Sequence, residues 1–171
     1  MKKLTASDVL MAKFYVVDGI SYPACEVAIG LFDAQGWRAM VACRTLGYED
    51  AKTKGTLSLD AFGTRLAAYD PNLSVASLAV EPADYYLSHC GFGVRASAKE
   101  IEMARSYLIE GLTYSAAEKR AGIEHRNGRA AQDAVFKLGA LRGRLERRTM
   151  TTEDFDGRLR VLRLHPDGKG A

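Results

Sequence analysis

Cysteine is scarce in this 171-residue chain: Cys25, Cys43 and Cys90 are the only three, and no two form a CxxC pair. An odd number without that spacing argues against a disulfide or metal framework and fits small buried thiols in a reducing compartment. His89, His125 and His165 are the three histidines, too far apart in sequence to suggest a metal set. His89 and Cys90 adjoin, but read as buried neighbours rather than as a nucleophile and its base. Gly91-Phe92-Gly93 lacks the GK[ST] that a phosphate loop needs and reads as a linker. The acidic pairs Glu49–Asp50 and Glu153–Asp154 fall in polar stretches without a partner acid. No apolar run approaches the roughly 18 residues of a membrane span. Met1-Lys2-Lys3-Leu4-Thr5 is not followed by the long apolar run and cleavage site of a signal peptide. The expectation is a cytoplasmic protein that is no enzyme, with no catalytic residue, metal, cofactor or small-molecule substrate, and no membrane partner.

What remains is an ordinary globular composition, 47% apolar and 26% charged, with an uneven distribution of charge. Residues 1–96 carry nine Lys/Arg and ten Asp/Glu, whereas residues 97–171 carry fifteen and eleven. Within 120–148 eight basic residues face three acidic ones. A local excess of that size suggests a polyanionic partner, with a solvated basic face as the plainer alternative.

The chain also repeats itself. VLMAKFYVVDGISYPACEVAIGL (9–31) and IEMARSYLIEGLTYSAAEKRAGI (101–123) align without a gap at an offset of 92, with eight of 23 positions identical and eight more chemically similar. The identities include Gly19/Gly111, Tyr15/Tyr107, Tyr22/Tyr114, Glu26/Glu118 and Gly30/Gly122, and the offset continues through Gly36/Gly128, Ala39/Ala131, Ala42/Ala134, Leu46/Leu138 and Gly47/Gly139. LSVASLAVEP (73–82) and GRLRVLRLHP (157–166) form a second echo at an offset of 84; both alternate in character and end at proline. That period predicts a half-buried strand in each.

Each copy therefore reads as three helices followed by a strand. In the second copy Ser97 caps a helix near 98–110 whose Ile101, Ala104 and Leu108 share a face, and Gly111 ends it. Thr113 caps a short helix near 114–121, Gly122 redirects the chain, and a third helix runs from about 125 to 138, or as far as 146. In the first copy the helices fall near 6–18, 22–29 and 33–46, with an additional helix at 58–69. The predicted fold is mainly α with a small β element: two tandem helix-turn-helix repeats, 1–92 with a strand near 74–80 and 97–171 with a strand near 158–164. The two strands could pair with each other.

A short helix, a glycine turn and a third helix is the arrangement that places a helix in the DNA major groove, although plain αα-hairpins satisfy it too. The run I-E-M-A-R-x-Y-L-x-x-G, then a short Ala-rich helix and A-G-I, resembles the TrfB/KorA family of plasmid transcriptional repressors. The resemblance is close over 101–123, echoed at 9–31, looser over 157–166 and poor between. It implies a helical DNA-binding domain before a small strand-containing dimerisation element, and repression of a mobile element's genes. The family's third helix does not align with 125–146 without a gap, so no base-contacting residue carries over.

Base readers must come from the residues themselves. Arg pairs with guanine, and Asn and Gln with adenine, which singles out Arg126, Asn127, Arg129 and Gln132. Arg142 and Arg144, together with Arg147 and Arg148, suit phosphates, Lys137 is a further DNA-binding candidate, and Thr113, Tyr114 and Ser115 could hydrogen-bond a phosphate at the start of the second helix. The first copy offers Gln35, Trp37 and Arg38. They form either a weaker DNA reader, making the chain a single-chain pseudo-dimer, or a protein contact with Trp37 as anchor or core residue. The expected partner is double-stranded DNA, with a second copy or a partner protein left open. The rival function is a protein-binding antirepressor or phage-type inhibitor whose helix-turn-helix serves only its own promoter.

Overall fold

A computed structural model of the chain describes residues 3–31, 35–48, 51–73, 78–90, 94–124, 127–138 and 147–164. Among them lie nine α-helices and no strand, in two compact units, Met1–His89 and Cys90–Ala171. The mainly helical class agrees with the sequence reading; the small β element has no counterpart among the described residues.

In the first unit α1 (Ala6–Val16) starts at a capping box: the Thr5 side chain accepts from Asp8 N at 3.2 Å, and Asp8 Oδ2 accepts from Thr5 N at 2.9 Å. Ser21 caps α2 (Tyr22–Ala28), whose first turn holds Pro23. Next come α3 (Trp37–Thr45) and α4 (Leu59–Tyr69), and α5 (Pro82–Tyr85) continues through a wider turn to Cys90. Helices α1, α2 and α3 pack on one another, α4 packs on α1, and α5 on α2. With neighbours on several sides, α1 is buried throughout Asp8–Val16. Even Lys13, 3% exposed, is enclosed; its ammonium donates to Val80 O and pairs with Asp18.

The second unit holds α6 (Ala98–Leu108), α7 (Tyr114–Arg120), α8 (Arg129–Lys137) and α9 (Thr152–Val161). The first three begin and end 92 residues after α1, α2 and α3. Ser97 and Glu100 form the matching capping box, and Thr113 caps α7 as Ser21 caps α2. Tyr107 stacks on Tyr114 with ring centroids 4.2 Å apart, as Tyr15 stacks on Tyr22 at 3.9 Å. Gly111 and Gly122 both take positive φ, as expected for the ends of the first two helices. The third helices start four residues later than the sequence suggested, because Gly36 and Gly128, at φ +89° and +83°, hold the N-cap position of α3 and α8.

The strand predicted near 158–164 is helix over its first four residues: α9 runs to Val161, and residues 162–164 follow its end without forming a strand. Arginines at 158, 160 and 163 imitate a period of two, but along the helix Phe155, Leu159 and its C-cap Leu162 are buried, spaced by four and three, and Leu164 is buried just beyond it. Thr151 caps the helix, Glu153 and Asp154 occupy its first turn rather than a loop, and Arg158 and Arg160 its last, all favoured by the helix dipole. The strand near 74–80 lies partly outside the described residues, and Leu78–Val80 form none. The match between 73–82 and 157–166 falls with it. α9 corresponds instead to α4 at an offset of 93, pairing Ser58 with Thr151, Phe62 with Phe155, Arg65 with Arg158 and Leu66 with Leu159. The chain before each helix bonds the end of the first helix in the same way: Gly55 N and Leu57 N donate to Tyr15 O and Val16 O, and Arg148 N and Met150 N to Tyr107 O and Leu108 O. α4 thus has its counterpart in the second unit.

Gly36 allows a direct test of this packing. A Cβ there would meet Tyr22 Cβ at 2.8 Å, whereas one on Gly122 would meet nothing within 4 Å. Gly122→Ala is expected to cost only the left-handed backbone strain, about 1–2 kcal/mol, and Gly36→Ala clearly more. Urea denaturation of both variants compares them, and equal losses would contradict the close approach of α2.

Candidate nucleic-acid interface

The candidate reading helix is held by a buried carboxylate. Glu118 on α7 is 0% exposed, beside the cluster Met103, Ala117, Ala121, Ala131 and Ala134. Its oxygens lie 2.5 and 3.2 Å from Gly128 N, which donates to them at the head of α8. Glu26 does the same in the first unit more fully: Oε2 accepts from Gly36 N at 2.8 Å, and Oε1 from Arg38 N at 2.6 Å and Ala39 N at 3.2 Å. A carboxylate out of water needs donors, and a helix N-terminus has unpaired N–H groups together with a positive dipole end. Each supplies what the other lacks. The alanines of the cluster leave room for α7 and α8 to approach closely.

Held in this way, α8 turns Arg129 and Asp133 to solvent, with half-buried Gln132 on the same face at the spacing i, i+3, i+4. Asn127 is exposed, and its Oδ1 accepts from Arg129 N at 3.0 Å, shaping the turn before the helix. Thr113 is exposed, with its hydroxyl capping α7. Tyr114 is half-buried in its stack on Tyr107, so its ring serves packing. Ser115 is exposed, its Oγ close to Gly128. Lys137 forms an ion pair with Glu100, whose other oxygen accepts from Ser97 N. It joins the end of α8 to the start of α6. Arg126, Arg142 and Arg144 lie outside the described residues. Arg147 and Arg148 are exposed, and Arg148 donates to Glu110 O at 3.1 Å.

In the first unit Trp37 is 64% exposed at the start of α3, so it is not a core residue. Gln35, Arg38 and Arg44 are exposed, Met40 and Val41 half-buried, and the Arg38 guanidinium lies 3.7 Å from Asp8. The structure thus brings Arg129 together with Gln132, and Trp37 with Arg38. It adds two features that sequence reasoning missed. Glu26 and Glu118 carried a signal, an identical acid on an otherwise apolar or alanine-rich short helix. Asp133 counted only as a subtraction from the basic total, yet one helical turn from Arg129 it is an acceptor suited to the cytosine amino group. Partial desolvation raises its carboxyl above the ordinary range, while Arg129 and Lys137 pull the other way.

His89 is exposed rather than buried, its ring stacked on Tyr85 at 4.1 Å and Nδ1 2.7 Å from Ser88 Oγ. Burial raises the thiol of Cys25 well above its ordinary range and that of Cys43 to about 12, which suits inert packing groups. Among the described residues no group of three metal-ligating side chains occurs, and no helix is long and apolar enough to cross a membrane. Compared with protein-family models, curated proteins and solved structures, the chain matches none.

Both oxygens of Glu26 accept, so Glu26→Gln must turn an amide NH2 against a backbone donor. A loss of about 2 kcal/mol is expected, read as a lower urea midpoint with an unchanged slope. For Glu100 burial alone would raise the carboxyl, but Lys137 and the Ser97 donors outweigh it and hold the group below its ordinary 4.5. Its stabilising contribution is complete above that value and is lost as pH falls through the depressed folded value. Stability measured from pH 5 downward should therefore fall less steeply in Glu100→Gln than in the wild type.

Proposed function

We propose that the chain is a sequence-specific double-stranded DNA-binding regulator of transcription, built of two helix-turn-helix units that act as a single-chain pseudo-dimer. The observation that carries this reading is α8: a helix fixed at its N-terminus by Glu118, presenting Arg129, Gln132 and Asp133 in one row. Those three side chains suit guanine, adenine and cytosine edges in turn. The row lies within the 120–148 segment, where basic residues outnumber acidic ones eight to three, a balance that favours phosphate contact. The identical bounds of α1–α3 and α6–α8 at an offset of 92 support two readers in one chain. Repression, and a mobile element as the setting, rest on the resemblance of 101–123 to the TrfB/KorA repressors.

The rival reading makes the first unit a protein contact, the whole chain being an antirepressor or inhibitor that binds DNA only at its own promoter. The exposure of Trp37 favours it, as does the net negative charge of residues 1–96.

Binding of the full chain to random duplexes and to duplexes selected from a random library, over a range of salt, tests the proposal. Salt-sensitive binding with a marked preference for the selected duplex is expected. Arg129→Ala or Gln132→Ala should weaken the selected duplex roughly 5- to 150-fold and leave random duplex nearly unchanged. If the wild type shows no preference at any salt, the proposal fails.

A further inference from the structure

We infer that α3 is a second reader of duplex DNA whose chemistry is apolar, and that its target is the row of thymine methyl groups in the major groove; this rests on the reading of α8 given above. Trp37, Met40 and Val41 stand 92 residues before Arg129, Gln132 and Asp133, at the same places of a helix with the same bounds. The frame is the same too: a left-handed glycine at the N-cap, bonded to a buried glutamate of the preceding helix. What differs is the solvent face. The three polar readers of α8 are replaced in α3 by an indole 64% exposed and two half-buried aliphatic side chains.

Three observations select DNA as the occupant. The helix WRAMVACRT contains no acidic residue of its own, and the apolar row is flanked by two exposed arginines, Arg44 and Arg38, the latter 53% exposed although its guanidinium lies 3.7 Å from Asp8, so the helix offers cations to a phosphate backbone. The row itself is one exposed and two partly covered side chains, far short of the roughly 800 Å² per partner of a standard protein interface. Thymine is the base that offers an apolar group, its C5 methyl, at the floor of the major groove, and apolar side chains are its readers. The consequence is a non-palindromic target: one part read by hydrogen bonds through α8, the other containing thymines read by contact through α3.

Replacing thymidine with deoxyuridine removes only that methyl and leaves base pairing intact. In the duplex selected by the full chain, deoxyuridine at one or more positions outside the Arg129-sensitive part is expected to weaken binding about 4-fold per methyl. Trp37→Ala should weaken binding to the thymine duplex and abolish its difference from the deoxyuridine duplex, whereas Arg129→Ala should leave that difference in place. Because Trp37 is the one tryptophan of the chain, its emission should also change, and its quenching by acrylamide should fall, on addition of the selected duplex. Equal affinity for the two duplexes, or deoxyuridine sensitivity that survives Trp37→Ala, overturns the inference while leaving the reading of α8 intact. Self-association of the free chain that requires Trp37, with emission indifferent to duplex, makes the row a contact between copies and likewise overturns it. A chain with no sequence preference at all sinks the reading of α8, and this inference with it.

Discussion

A glutamate buried at the head of the third helix is the constraint on which both units turn. Glu26 and Glu118 each sit on a short helix, shut off from water, and each accepts from backbone N–H groups at the head of the next helix. The bond fixes the direction in which α3 and α8 leave their turns, and therefore which side chains reach solvent. Glycine at the N-cap, alanines at the close approach and the tyrosine stack next to the turn all serve the same closure. Exchanging the carboxylate for a neutral group would spare most of the apolar packing but release the helix that carries the proposed readers.

Around that common frame the units diverge where their surroundings differ. Lys13 is enclosed beside Val80, and its counterpart Arg105 lies half-buried over the Phe155 ring with Asp156 nearby. Val27 and Ala28 are buried on α2, which α5 covers, whereas the matching Lys119 and Arg120 of α7 are exposed. The segment 78–90 and the apolar character of α2 thus belong together. The same logic applies to the outer faces of α3 and α8, where an identical backbone setting carries indole chemistry in one unit and guanidinium chemistry in the other.

The three-helix segments were legible because their punctuation is local: Ser97 with Glu100, Thr113 before a short helix, and glycines where φ must be positive. The start of the third helix was misplaced because Gly128 was read as part of a basic helix rather than as its cap. The last helix of the second unit, α9, escaped because arginine at 158, 160 and 163 simulates alternation, and a single-sequence reading weighed that period above Phe155, Leu159 and Leu162, whereas its counterpart α4 was expected at 58–69. The carboxylate anchors were visible as letters but not as bonds, since nothing in local sequence shows that Glu118 is wholly buried. Of the candidate readers, Arg129 and Gln132 share a face as their spacing required. Lys137 does not stand free, because its partner Glu100 is 37 residues away and only the packed unit brings them together.

Two similar sequences in one chain carry a hazard during synthesis, because helices of one unit can dock in the other. The contacts of each three-helix set close within a short stretch, so the first can form before the second has emerged. Divergence in the interiors then penalises exchange. Phe14, fully buried, matches Ser106, and a first helix placed in the wrong unit would force an aromatic ring into a space made for a hydroxymethyl group. The reverse exchange would leave a cavity where the ring belongs. Differences between the copies that contribute nothing to a binding surface therefore act as keys that direct each helix to its own partners.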